Sequence, residues 1–137
     1  GEVTDLRALY SNEAIKIVSS SIAGNRSHVY QSNFEIYDYN FIKHEFLLDS
    51  TNTEFCRVDI KDYFVENTPD SIINEFNTHT SNIYRIMIEG KKVLEKELIE
   101  ELWGNNLKDN KWIKGNTIIF EYDNNKFNRL EPCFTKY

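Results

Sequence analysis

The stretch NFEIYDYNFIKHEFLLDSTNTEFCRVDIKDYF, residues 33–64, alternates apolar with polar side chains and is rich in aromatic and β-branched residues. A period of two is the pattern of strands that bury one face and wet the other, and it is out of step with a 3.6-residue helix. We read three strands here, near 33–39, 41–48 and 54–64. On the first, Phe34 and Ile36 fall on one face while Tyr37, Tyr39 and Phe41 fall on the opposite one. Such a strand is either covered on both sides or leaves a tyrosine row for a partner.

Around this segment the pattern changes. In TDLRALYSNEAIKIVSS, Thr4 is placed as an N-cap with Asp5 in the first turn, and Leu6, Leu9, Tyr10, Ala14, Ile17 and Val18 recur at helical spacing, which predicts a first helix ending before Gly24. TPDSIINEF predicts a short helix to about Phe76, with Thr68 as N-cap and Pro69 at the first helical position. The polar run NTHTSN, Asn77 to Asn82, reads as that helix's exit loop before a strand at 83–89. Gly90 turns the chain into KKVLEKELIEELWG, where Leu94, Leu98 and Leu102 form a helical stripe closed by Gly104. KWIKGNTIIFEYD gives two strands around Gly115-Asn116, and DNNK opens a further turn. The expected order is αβββαβαββ, an α+β fold with mainly antiparallel sheet packed by helices.

The chain has 137 residues, 40% of them hydrophobic and 14% aromatic, enough for one two-layer core, and nothing repetitive divides it, so a single domain over 1–137 is expected. The net charge of -6 argues against direct nucleic-acid binding, which wants a basic face, and favours a cationic partner. No run reaches the ~18 apolar residues of a membrane helix, so no membrane association is expected. Cys56 and Cys133 have neither metal spacing nor the density of a disulfide framework, although one bridge between them is compatible with the sequence. A reducing, cytoplasmic location is expected; a sequence opening on Gly1 rather than Met also fits removal of an upstream targeting segment.

Chemistry is sparse. In VDIK, Asp59 and Lys61 flank an apolar residue, with Asp38, Glu45 and Asp49 upstream. The motif resembles the metal-binding half of the PD-(D/E)xK nuclease family, whose αβββαβ core matches the element order expected for the first 89 residues. The resemblance implies a Mg²⁺-dependent nuclease using Asp59, Lys61 and Glu45, the metal held by carboxylates and the lysine near the attacked phosphate. Strand register opposes it. A hairpin burying Ile42, Phe46, Cys56, Val58 and Ile60 on one face sets Lys43 opposite Asp59 and Glu45 opposite Arg57, so these charges already have cross-strand partners. His28, His44 and His79 lack metal-pair spacing, and no nucleophile elbow or phosphate-binding glycine motif is present. No catalytic residue, metal or cofactor is therefore assigned.

Surface remains. Glu95, Glu97, Glu100 and Glu101 stand against Lys96 alone within VLEKELIEELW, whereas residues 105–137 carry six basic and four acidic groups. A glutamate-rich helix face is either simply solvated or a docking surface for a basic protein. The function expected from these features is a small acidic protein-binding module, an immunity- or antitoxin-type inhibitor that occludes a basic toxin such as a nuclease. Glu97, Glu100, Glu101, Tyr37 and Tyr39 are its expected contacts.

Overall fold

The computed structural model describes residues 2–10, 15–25, 28–100 and 107–134. They build two four-stranded antiparallel sheets in which each strand pairs with its sequence neighbour. The first contains β1 (Glu2–Tyr10), β2 (Ile15–Asn25), β3 (His28–Asn40) and β4 (Glu45–Leu48). The second contains β5 (Thr80–Glu89), β6 (Lys92–Glu100), β7 (Thr117–Asp123) and β8 (Lys126–Arg129). Between the sheets in sequence lie α1 (Ser50–Phe55), a 3-10 turn (Ile60–Tyr63) and α2 (Asp70–His79). The architecture is of the α+β type, mostly antiparallel sheet with few helices.

The element order differs from αβββαβαββ in four places. The shortest is at 111–116, where only an isolated bridge from Ile113 to Phe64 forms, so no strand leads into Gly115-Asn116 and β7 pairs with β8 instead. Of the span 4–18, expected as a helix, residues 4–10 lie in β1 and 15–18 in β2, while 11–14 lie outside the described residues; Leu9 lies opposite Lys16 and Arg7 opposite Val18. Their apolar spacing fits both periods, and only the pairing sends Leu9 and Val18 to the core while leaving Leu6 and Tyr10 exposed. The expected strand at 54–64 is instead the end of α1 followed by the 3-10 turn. Asp49 caps α1 by accepting from the Asn52 amide at 3.1 Å, which bends the chain away from a strand path. The hairpin between 42–48 and 54–60 therefore does not form, and β4 pairs with β3.

The glutamate-rich segment is not a helix either. Residues 92–100 are the strand β6, between β5 and β7. Val93 and Leu94, and again Glu97 and Leu98, are adjacent buried pairs, so both faces of this strand are covered. Buried pairs spaced four apart imitate a helical stripe, and packing overrides the helix propensity of Glu, Lys and Leu. Gly104 and the rest of 101–106 lie outside the described residues. NTHTSN is not a loop: α2 runs to His79 and β5 starts at Thr80, whose hydroxyl donates to the Phe76 carbonyl at 2.6 Å.

Other turns follow the residues that demand them. Gly90 takes φ +59 between β5 and β6, while Asn124 and Asn125 take φ 51 and 61 between β7 and β8, the left-handed pair of a tight hairpin. The inner faces share one apolar cluster, in which Val18, Phe34 and Ile36 meet Tyr84, Leu94, Leu98, Ile118 and Phe120. The Phe34 and Tyr84 rings sit 4.4 Å apart between the sheets. Gly115 is pressed on the segment after β8, where a Cβ would lie 2.6 Å from the Cys133 amide nitrogen.

Candidate protein-binding face

Strand register fixes what the first sheet shows on its outer side. Because successive side chains alternate, the buried Leu9, Val18, Ser20, Phe34 and Ile36 define the inner face and their neighbours the outer one. Two complete rows cross all four strands on that outer side: Ala8, Ile17, Tyr37 and Leu48, then Tyr10, Ile15, Tyr39 and Phe46. None is charged. Tyr10 is 76% exposed, Phe46 60% and Leu48 53%, while Ala8, Ile15, Ile17, Tyr37 and Tyr39 are half-buried. A third row adds Leu6, 67% exposed, Ser19 and Glu35.

With strands ~4.8 Å apart and same-face residues ~7 Å apart, the two apolar rows cover a patch roughly 15 Å across. Folded chains rarely leave a contiguous apolar face of this kind to water without a use for it. Aromatic contacts stiffen it. The Tyr39 ring packs on Phe41 at 5.3 Å and Phe46 at 5.0 Å, and its hydroxyl lies 3.1 Å from Nδ1 of His44. The Tyr37 hydroxyl donates to the Glu35 carboxylate at 2.7 Å, a bond that, with burial, raises the phenol above its usual range. Glu35 is thereby held at the border of the apolar rows as a fixed negative group.

The expected contact residues separate. Tyr37 and Tyr39 stand together on the outer face, as the alternation indicated. Glu97 does not reach any surface; it is 2% exposed and lies 3.4 Å from Arg85, which also approaches Glu95 at 3.8 Å. Burial pushes Glu95 upward, Arg85 opposes this, and neighbouring Glu97 reinforces it. The Glu100 side chain and all of Glu101 fall outside what is described. Ile15, Ile17, Phe46 and Leu48 were missed as face residues, because the first two were assigned to a helix and the last two to a different hairpin.

The nuclease-like positions are engaged in local structure. The Asp59 carboxylate accepts from the Lys61 amide at 3.1 Å while Asp62 accepts from the Asp59 amide at 2.9 Å, a reciprocal cap on the 3-10 turn. Glu45 begins the exposed strand β4. No group of three or more His, Cys, Asp or Glu among the described residues is placed to hold a metal ion. Cys56 is buried, which pushes its thiol up to about 12, and Cys133 is exposed; both are free. The αβββαβ order behind the nuclease resemblance is absent, since residues 2–89 open with four strands.

Among the described residues, no helix is long and apolar enough to cross a membrane. No family model, no curated protein and no solved structure matches this chain.

Proposed function

We propose that this chain is a small acidic protein-binding module that acts by occlusion, in the manner of immunity proteins and antitoxins, and that its partner is a basic protein. The observation that carries the reading is the pair of uncharged rows, Ala8-Ile17-Tyr37-Leu48 and Tyr10-Ile15-Tyr39-Phe46, in which Tyr10, Phe46 and Leu48 are more than half exposed. A protein interface wants an apolar, aromatic centre with charge at its rim, and Glu35 supplies the rim carboxylate here. The net charge of -6 accelerates encounter with a cationic chain and rejects acidic ones. Within this reading the contact surface centres on Tyr37 and Tyr39, and the buried Glu97 has no part in it.

The test is affinity capture from the native cell lysate at low salt, with the wild type beside Tyr39→Arg. The expected result is one basic protein held stoichiometrically by the wild type, released by salt, and lost with Tyr39→Arg. Capture indifferent to Tyr39→Arg rejects the face. Mg²⁺-dependent cleavage of DNA or RNA that disappears in Asp59→Ala would favour the nuclease instead.

A further inference from the structure

We propose that the partner docks as an added strand on the open edge of β4, and that the docking segment is an extended stretch in which apolar residues alternate with lysine or arginine. This rests on the protein-binding reading above and specifies how the face is used.

The edge is open and built to pair. Among the described residues β4 pairs with β3 alone, and its four residues are all exposed. The Asp49 amide donates to the Ile36 carbonyl at 2.8 Å, so Ile36 and Asp49 form a hydrogen-bonded position of the antiparallel ladder. Such positions alternate along the strand, so Leu47 and Glu45 turn their backbone groups toward β3. Phe46 and Leu48 therefore turn theirs outward. Edges are ordinarily protected by shortness, charge, proline or a bulge, and β4 has the first of these, with four residues. Its only charged residue is Glu45, at its start, whereas the opposite edge strand β1 carries Asp5 and Arg7 mid-strand.

The strand is also held ready. Asn40 Oδ1 accepts from the amides of Ile42 at 3.0 Å and Lys43 at 3.1 Å, closing the β3–β4 turn, and Tyr39 clamps it through Phe41 and Phe46. A preorganised edge lowers the ordering cost of adding a strand.

The two sides of the edge ask for different side chains. Outside, an added strand meets Phe46 and Leu48 backed by Tyr39 and Tyr37. Inside, it meets Leu47 between Glu45 and Asp49, and the carboxylates of Asp49 and, one strand back, Asp38 share the single ammonium of Lys16, at 2.7 and 2.6 Å, which leaves the ends of that side net acidic. Neighbours on one face of a sheet interact directly, so a guest strand gains most from apolar residues outside and cations inside.

The experiment uses a capped synthetic heptapeptide alternating lysine and valine, a block peptide of the same composition, and the alternating glutamate–valine peptide. Binding is read by fluorescence anisotropy, and amide hydrogen exchange is followed at Phe46 and Leu48. The alternating basic peptide is expected to bind and to slow exchange at both amides by roughly tenfold or more, with the other two peptides weaker by a similar factor. Phe46→Pro, which removes an outward N–H, should bind about tenfold more weakly than Phe46→Ala, which keeps it. Equal binding by those variants, equal binding of block and alternating peptides, or unchanged exchange at Phe46 and Leu48 overturns the proposal. Should Phe46→Pro fail to fold, the peptide comparison and the exchange readout decide alone. A dimer of the free wild type that already protects these amides places a second copy on the edge and overturns it too. Partner capture lost with Tyr39→Arg but equal for Phe46→Pro and Phe46→Ala keeps the face and rejects the edge, whereas capture indifferent to Tyr39→Arg rejects the face itself.

Discussion

The Arg7 guanidinium donates to the Met87 carbonyl at 2.6 Å, and so ties the first strand of one sheet to the end of β5 in the other. It also donates to the carbonyls of Lys92 at 2.5 Å and Gly90 at 3.0 Å, enclosing the β5–β6 turn. Charge-assisted bonds to fixed carbonyls are worth ~1.5–3 kcal/mol each at most, and they are not additive. Arg7→Ala is expected to cost about 2–3 kcal/mol in urea denaturation, with Arg7→Lys recovering less than half, because an ammonium cannot span the three acceptors.

The two faces of the first sheet should respond oppositely to truncation. Ile36→Ala empties a buried site and should cost about 2–4 kcal/mol. Phe46→Ser and Tyr10→Ser, on the uncovered side, should each stay within about 1 kcal/mol of wild type. Equal losses on both faces would mean that something covers the outer side of the free chain.

Lys16, Asp38 and Asp49 make a pH-sensitive joint between β2, β3 and α1. Burial pushes Asp49 up, but bonds from Lys16 and Asn52 outweigh it and leave the carboxyl below its ordinary 3.8. Its stabilisation is present above that ordinary value and is lost as pH falls through the depressed one. Burial pulls Lys16 down while Asp38 and Asp49 outweigh it, leaving the ammonium above 10.5, so its share is present below 10.5 and is lost as pH rises through the elevated value. Asp49→Asn should flatten the acid limb of a stability–pH curve and lower stability at neutral pH; an unchanged acid limb refutes the joint.

Lys96 shows the opposite sign. Burial lowers it from 10.5 to about 8, with its ammonium 4.5 Å from the centre of the Tyr84 ring and donating to the Val58 carbonyl at 2.9 Å. The unfolded chain binds more protons than the folded one between these values, so stability should rise as pH goes from 8 to 10.5. Lys96→Met should abolish that rise, as followed by thermal melts across the same range.

Gly115→Ala should be among the most harmful small substitutions, about 2–4 kcal/mol, because the new methyl meets backbone atoms of Pro132 and Cys133 that have no free rotamer to give way. Thermal unfolding of this variant beside Gly90→Ala separates a steric cost at 115 from a conformational one at Gly90, where φ is +59 and the space is open.

Much of β3 was legible because alternation with one buried face has a single solution: Phe34 and Ile36 in, Tyr37 and Tyr39 out. The turn at Asn124-Asn125 was legible for a local reason, since few residues accept positive φ. β1 and β6 were not. In β1, Leu6, Leu9 and Tyr10 satisfy a helical period and a strand that is apolar on both sides alike, and which one wins depends on β2 and on the second sheet, distant in sequence. In β6, burial on both faces erases alternation altogether. The outer face was only half visible for the same reason: Tyr37 and Tyr39 declared themselves, but Ile15, Ile17, Phe46 and Leu48 join them only once the register is set.

Because each sheet is a meander of sequence neighbours, nearly all strand pairing is local, and its closure entropy is low. Distant encounters include those between sheets, made by Arg7 with the β5–β6 turn and by Phe34 with Tyr84, and those of residues 57–64 with Lys96, Ile113 and Arg129. Folding should thus divide into fast formation of two separate hairpin arrays and a slower joining step, and substitutions at Arg7 or Phe34 should slow that step while leaving early strand signals intact. During synthesis the first array precedes the sheet it packs on: Thr53 of α1 can reach Ile36 early, but Phe34 waits for Tyr84 and its strand.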